Sequence, residues 1–214
     1  MKPNYKLFVP LCLVIFSTTC KRVENQSDTG LGYFPLSVGM SKIFSVDSIN
    51  YNVVANQKDS LRSYLKEVIT TEKTDSSGYT IYKAEYYTSI DTNKGWKYSS
   101  YFFYKKNEYH INIDNSGPTV TCFVFPVAKG RRWNINAYNN LDAQNAYYSF
   151  VANPWMNYND CVEVFVKEDI NTVEEAIDKR VYCRKKGLVY KILSDVSVNN
   201  SKKNGHRIIT KLIK

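Results

Sequence analysis

Cysteine and histidine are the side chains of this chain best suited to chemistry, and both are scarce. There are five cysteines and two histidines among 214 residues. His110 lies on the polar side of the alternating run EYHINID and His206 follows an Asn-Gly turn, so both are expected to be exposed and uninvolved in catalysis. No HExxH, GxSxG or phosphate-binding glycine motif occurs, and the carboxylates are scattered. The sequence therefore predicts no catalytic, cofactor-binding or metal-binding residue, and a protein that is not an enzyme.

Cys20 ends a short leader whose composition gives that thiol a role. Lys2 and Lys6 precede an apolar run over 7–16, which is far too short to cross a bilayer core of about 30 Å as a helix. Residues 17–20, Ser-Thr-Thr-Cys, resemble the lipobox of bacterial lipoproteins, although Ser17 stands where leucine is usual. We therefore predict a signal peptide over 1–19 and covalent diacylglycerol and acyl groups on Cys20. Simple secretion is the alternative.

The polar segment that follows Cys20 predicts how the folded body is joined to the membrane. Residues 20–30 contain the lipidated cysteine and a flexible tether, which could extend about 35 Å. No aspartate follows Cys20, so the inner-membrane retention signal of enteric bacteria is missing. We expect a bacterial envelope protein held by its N-terminal lipid, in the outer membrane rather than the inner membrane. The periplasmic or surface face stays open.

Three cysteines remain once Cys12 leaves with the leader and Cys20 is lipidated. They are Cys122, Cys161 and Cys183. Cys161 and Cys183 occupy mirror positions about a connection near Thr172, as a cross-strand pair would, and an envelope compartment permits disulfides. These two residues are therefore a candidate disulfide, and a neighbouring reduced pair is the alternative.

The charge balance restricts the partners. The chain has 29 lysines and arginines against 20 acidic residues. The basic runs KGRRW (129–133), KRVYCRKKG (179–187) and SKKNG (201–205) are short and are expected to be solvated at strand ends or turns. Because an exported protein rarely meets nucleic acid, we predict no nucleic-acid partner.

Alternating apolar and polar residues predict an all-β fold. The chain has 18 tyrosines and 10 phenylalanines, which suit pleated, half-buried surfaces. About ten or eleven strands are predicted, forming an antiparallel meander in one domain over 31–214, curled into a barrel or closed as a sandwich. Their ranges are 42–53, 61–72, 79–90, 96–105, 108–114, 119–127, 147–152, 161–168, 180–185, 188–197 and 206–213. A capping box at Thr172 and Glu175 predicts one short helix near 172–178.

Three segments of the body resemble an uncharacterised group of small lipoproteins of Bacteroidota-type bacteria. The segments are GYFPLSVGMSKIFSVDSINYN, VFPVAKGRRWNINAYN and RVYCRKKGLVYKI, and together they span most of the predicted mature chain. The chain departs from the group at Met40-Ser41-Lys42, where an aromatic residue often follows the glycine. The resemblance implies an envelope lipoprotein with a β-rich fold, and it implies no activity.

The high aromatic content favours a binding function. A curled sheet could hold an apolar ligand inside, or exposed Trp96, Trp133, Trp155 or tyrosine rings could stack on a glycan. We therefore expect a non-catalytic binding module for an apolar or glycan ligand. The alternative is a structural or accessory lipoprotein that binds a protein partner in an envelope complex and has no small ligand. Ser48 and Ser60 lie in Asp-Ser-apolar triplets and are weak candidates for O-glycosylation.

Overall fold

The computed structural model describes residues 29–52, 57–151, 155–199 and 202–214. They form one antiparallel sheet of twelve strands in the order β6-β5-β4-β3-β2-β1-β12-β11-β10-β9-β8-β7. The strand bounds are β1 Ser41–Asn52, β2 Gln57–Thr74, β3 Thr80–Ser89, β4 Lys97–Lys106, β5 His110–Asp114, β6 Val120–Val124, β7 Arg132–Asn134, β8 Asn145–Phe150, β9 Cys161–Ile170, β10 Glu174–Cys183, β11 Gly187–Asn199 and β12 Lys202–Leu212. The predicted all-β fold is confirmed.

The sheet curls until its two edges meet, which decides between a barrel and a sandwich. At the seam, the Thr121 amide of β6 donates to Ile135 O just after β7, at 2.8 Å. The Trp133 indole donates to Thr121 O at 3.1 Å, and the Tyr148 hydroxyl bonds both the amide and the carbonyl of Val124. Few ladder bonds join the edges, so the sheet is a nearly closed barrel rather than two stacked layers.

Aromatic rings fill the inside of the barrel. Phe34 packs at 5.2 Å from Tyr104 of β4 and at 5.4 Å from Tyr182 of β10, ring centre to ring centre. Phe123 of β6 lies 5.0 Å from Tyr182 and 5.2 Å from Tyr148 of β8. Because these contacts join distant strands of one sheet, the core itself holds the curl.

The even number of antiparallel strands brings both ends of the described domain to one rim. We call this rim, with residues 29–40 and 213–214, the terminal end; the opposite rim, with the β5–β6 turn over 115–119, is the distal end. At the terminal end Thr29 O accepts the Val127 amide at 3.1 Å, and Ile43 of β1 pairs with residues 213–214. Tyr33 and Arg184 both donate to the Asp160 carboxylate, with the Arg184 guanidinium over the Tyr33 ring.

The helix predicted near 172–178 is wrong. β10 begins at Glu174, and residues 171–173 form the turn of the β9–β10 hairpin. The Asn171 side chain accepts the amides of Val173 and Glu174, both at 2.9 Å, which gives the chain a side-chain-stabilised turn in place of a helix cap. The alternation of Ala176, Asp178, Arg180 and Tyr182 then continues as a strand. The capping box was a coincidence of residue types.

Two further strand predictions differ from the structure. β10 runs from Glu174 to Cys183, so it starts six residues before the predicted 180–185, and Arg132–Asn134, predicted as loop, forms β7. β7 is three residues long, too short for alternation to show. The other ten predicted strands each overlap one observed strand, although several have different ends.

Candidate ligand-binding cavity

A cavity of about 360 Å³ lies inside the barrel, within the range usual for small-ligand sites. It extends from Phe34 towards the distal end, where the exposed Asn115 and Pro118 form its rim. Its lining residues are Phe34, Lys42, Phe44, Leu65, Tyr86, Tyr104, Ile113, Asn115, Pro118, Val120, Arg180, Tyr182, Leu188, Lys191 and Thr210. The wall is therefore mostly aromatic and aliphatic, with three cationic side chains.

Glu67 is the carboxylate buried behind this wall. It is 5% exposed and accepts a hydrogen bond from the Tyr104 hydroxyl at 3.2 Å. Burial raises the pKa of Glu67, while the charge of Lys42 and the Tyr104 hydrogen bond lower it less. The protonated form of Glu67 is therefore favoured to a higher pH than that of an ordinary glutamate.

Lys42 lies on β1 directly across from Glu67 on β2. Its ammonium lies over Gly187, where a methyl group would come within 2.6 Å of Lys42 Nζ. Burial lowers the pKa of Lys42, and the charge of Glu67 opposes that shift. Each of these two charges therefore stabilises the charged form of the other. Among the described residues, no ion pair within 4.0 Å includes Lys42.

Arg180 and Asp178 form a neutralised pair on β10. Arg180 Nε donates to Asp178 Oδ1 at 3.1 Å and its Nη2 donates to Oδ2 at 2.9 Å. Both side chains are mostly buried, with 14% and 17% exposed. This two-point geometry is the strong form of a guanidinium–carboxylate bond, so the charge of Arg180 is largely satisfied within the strand.

Lys191 on β11 is the third cation. It lies between Arg180 on β10 and Thr210 on β12, each its cross-strand partner. Burial lowers the pKa of Lys191 and the like charge of Arg180 lowers it further, while Asp178 opposes the shift. Within the described part of the chain, no hydrogen bond or ion pair involves the Lys191 ammonium.

The basic run over 179–187 was expected to be solvated, and the structure corrects this at Arg180. Adjacent strand residues point to opposite faces, so Arg180 lines the cavity while Lys179 lies outside with Glu163, at 3.4 Å. The sequence signal that could have found these residues is a charged residue at a position where the alternation of the strand predicts an apolar, inward-facing one. It is present at Arg180 before Tyr182, at Glu67 between Leu65 and Ile69, and at Lys42 before Phe44.

The sequence-predicted cysteines fall into three places. Cys161 and Cys183 are opposite one another on β9 and β10 and form a disulfide, with 4.1 Å between their Cα atoms. Cys122 is a free thiol in the core, where burial raises its pKa to about 12. Cys20 and its predicted leader and tether up to residue 28 lie outside the described residues. No cysteine lines the cavity.

The two serine candidates stand apart from the cavity, on the long β1–β2 hairpin. Ser60 is exposed on β2, while Ser48 is half-buried on β1. Ser60 is opposite Ile49 and Ser48 is opposite Leu61, so the two serines face opposite sides of the sheet. O-glycosylation at either position stays a prediction.

One of the two histidine expectations is wrong. His110 is 8% exposed, its Nε2 lies 3.1 Å from the Tyr79 hydroxyl, and its ring packs against Tyr138. Burial lowers the pKa of His110. His110 is the first residue of β5, at the terminal end of the barrel. The alternation of EYHINID places His110 outward and Tyr109 inward, whereas in the structure His110 is buried and Tyr109 is exposed. His206 is exposed as expected.

The tryptophans are packed rather than presented to solvent. Trp133 lies 4.6 Å from the Tyr148 ring, Trp155 lies 5.4 Å from the Tyr190 ring, and the Lys66 ammonium lies over Trp96. Exposed rings occur instead on the outer face of β4, where Tyr98 and Tyr101 are 49% and 48% exposed. We call Tyr98 and Tyr101, with Phe103 beside them, the outer aromatic strip.

The described residues offer no metal site and no membrane-spanning helix. Within the described ranges, no three His, Cys, Asp or Glu side chains are grouped so that they could hold a metal ion, and no helix there is long and apolar enough to cross a membrane. Comparison with protein-family models, with curated proteins and with solved structures finds no match. The cavity is therefore the feature of the described residues that most favours a function.

Proposed function

We propose that this chain is a lipid-anchored envelope protein that binds an apolar ligand inside its barrel, without catalysis. The cavity is the observation that carries the proposal. Protein interiors normally pack as densely as organic crystals, and unfilled apolar volume destabilises them. A partly open space of about 360 Å³, lined mostly by aromatic and aliphatic side chains, is large enough to take a small apolar molecule and would be better packed with one bound.

The test is to ask whether the full chain purifies with a small molecule. The protein is expressed with its own leader in a Gram-negative bacterium, weighed by native mass spectrometry, then denatured and extracted. A stoichiometric mass lost on denaturation is expected. Thr210→Phe, which places a ring into the cavity from β12, is expected to reduce the amount released.

Two other results would redirect the assignment. A clean ligand-free mass in both proteins would contradict the proposal and favour an accessory lipoprotein that binds a protein partner. Equal ligand content in the parent protein and in a correctly folded Thr210→Phe would place the molecule outside the cavity. Either result is readable because thermal unfolding shows independently whether the variant is folded.

Membrane attachment rests on Cys20 alone. Cys20→Ala is expected to abolish incorporation of radiolabelled palmitate and to release the protein from the membrane fraction, because each buried methylene contributes about 0.8 kcal/mol to anchoring. Cys12→Ala, in the apolar run, is the matched control and should leave labelling intact. Acyl label that persists in Cys20→Ala would refute the anchor.

The outer aromatic strip supports glycan binding as a second candidate function. Tyr98 and Tyr101 both expose their rings on β4, and the Lys83 ammonium lies 5.1 Å from the Tyr101 ring centre. Flat amphipathic rings suit sugar faces. On a glycan array, binding that disappears in Tyr101→Ala and survives in Thr210→Phe would assign it to the strip. Binding with the opposite pattern would assign it to the cavity.

A further inference from the structure

The charges around the cavity are not balanced. Three cationic side chains line it, from Lys42, Arg180 and Lys191, while the neighbouring carboxylates are Glu67 and Asp178. Asp178 is committed to Arg180 through two hydrogen bonds. Glu67 lies on β2 opposite Lys42 and is the carboxylate that offsets the effect of burial on that lysine, although the two form no ion pair. Lys191 differs from both other cations because its cross-strand partners are Arg180 and Thr210, and no carboxylate lies opposite it.

The surroundings of Lys191 suit an anionic group. Lys191 is the cross-strand partner of Arg180, and the like charge of the guanidinium disfavours leaving both cations without an added anion. Thr210, its partner on β12, adds a hydroxyl to the same part of the wall. Lysine offers three donors and takes a carboxylate or phosphate oxygen readily.

The rest of the wall suits a hydrocarbon. Phe44, Leu65 and Leu188 lie on the strands between and beside the cations, and Ile113 and Val120 continue the apolar surface to the distal rim. An inorganic anion would leave this surface uncovered. A neutral hydrocarbon would leave the Lys191 ammonium without a partner inside the barrel, which is costly.

We infer that the ligand of this cavity is an amphipathic anion, with its carboxylate or phosphate oxygens at Lys191 beside Arg180 and its hydrocarbon against Phe44, Leu65 and Ile113. This inference rests on the proposed function and adds the chemical class of the ligand. Lys191 supplies the charge selectivity, and the apolar wall supplies the area buried.

The experiment compares ligands that differ only in their head. Decanoate, decyl phosphate, decanol and inorganic phosphate are titrated calorimetrically into the full chain carrying Cys20→Ala, which removes the predicted acyl groups. Decanoate or decyl phosphate is expected to bind at least about tenfold more tightly than decanol, as a hydrogen bond to a charged group implies. The tighter of the two anions identifies the head as carboxylate or phosphate.

Matched variants assign the preference to Lys191. Lys191→Met is expected to weaken anion binding about 10- to 100-fold and to leave decanol binding within about twofold. Lys191→Arg should keep the preference because it keeps the charge. Lys211→Met removes the same charge from the adjacent β12, but its neighbour Thr210 lines the cavity, so Lys211 faces outward and its loss should change nothing.

Each contrary result is distinct. If decanol binds as tightly as both anions, the inference about charge fails and the proposed apolar site stands. If inorganic phosphate binds as tightly as decyl phosphate, the hydrocarbon part of the inference fails. If no probe binds the parent protein, the inference and the proposed function fail together, whereas equal losses in Lys191→Met and Lys211→Met would overturn the role of Lys191 alone.

Discussion

Arg180 and Lys191 are cross-strand neighbours in the barrel wall, yet they differ in one respect. Arg180 is bonded twice to Asp178, while the Lys191 ammonium has no hydrogen-bond partner among the described residues. Both cations have left water to a large extent, which costs free energy unless a bond or an opposite charge compensates. The arginine is compensated within its own strand. The lysine is left to be compensated by something that enters the cavity.

The difference separates a structural charge from a binding charge. A paired buried cation keeps the protein together, and removing its partner is destructive. An unpaired cation weakens the empty protein and strengthens the complex, so the same group opposes stability without ligand and supports affinity with it. Stability measurements on the ligand-free protein can therefore test the distinction.

The largest effect is expected from removing the partner of Arg180. Asp178→Ala should lower the free energy of unfolding by about 3 kcal/mol, because a mostly buried guanidinium loses its compensating charge. Urea denaturation at neutral pH measures this. Asp47→Ala is the control, since Asp47 pairs with the highly exposed Arg62 and should matter little. A similar small loss in both variants would show that Arg180 is solvated, and the distinction between Arg180 and Lys191 would then be wrong.

A smaller effect of opposite sign is expected at Lys191. Lys191→Met should leave the free energy of unfolding of the ligand-free protein unchanged or raise it by about 1 kcal/mol, since a desolvated charge gives way to an apolar chain of similar length. The same denaturation assay checks it, with Lys211→Met as the outer-face control. A loss of more than about 1 kcal/mol would mean that Lys191 has a structural partner.

Glu67 should produce a dependence of stability on pH. Its folded pKa lies above the ordinary value of 4.5, so the folded state holds the proton more tightly than the unfolded state and stability falls as pH rises through and above 4.5. Glu67→Gln should remove this falling component, a change in slope of at most about 1.4 kcal/mol per pH unit. Denaturation curves measured between pH 4 and 7, at intervals of about one pH unit, test this prediction. Identical slopes in both proteins would place the folded pKa at its ordinary value.

The smallest effect should appear at high pH. The pKa of Lys191 is lowered below its ordinary 10.5, so the unfolded state binds more protons than the folded state and stability rises as pH increases towards that value. Lys191→Met should reduce the rise, measured by denaturation below the point where buried tyrosines begin to ionise. An unchanged rise in Lys191→Met would assign it to other groups, Lys42 first among them.

The strands were predictable and the charged wall was not. Period-two alternation of apolar and polar residue types located β1, β4 and β11 closely, because each strand is ten or more residues long. The mirror positions of Cys161 and Cys183 about the connection near Thr172 made them a candidate disulfide, with a reduced pair as the alternative, and the structure contains the bond. Short β7 and the side-chain turn at Asn171 gave no such pattern.

The cavity residues escaped for a physical reason. Alternation assigns charged residues to the solvent face of a strand. Lys42, Glu67 and Arg180 instead lie on the apolar face, and within a single strand each is only an isolated deviation from the pattern. Which exceptions face each other depends on how far the sheet curls and on the register across five or more strands. Long-range register of that kind follows from packing of rings such as Phe34 and Phe123, which no local pattern in the sequence specifies.

Both ends of the described domain lie at one rim of the barrel, and the cavity opens at the other rim. Residue 29 enters at the terminal end beside Val127, whereas Asn115 and Pro118 border the cavity at the distal end. If Cys20 is acylated as proposed, the tether joins the barrel at the terminal end, and the mouth of the cavity lies at the opposite rim.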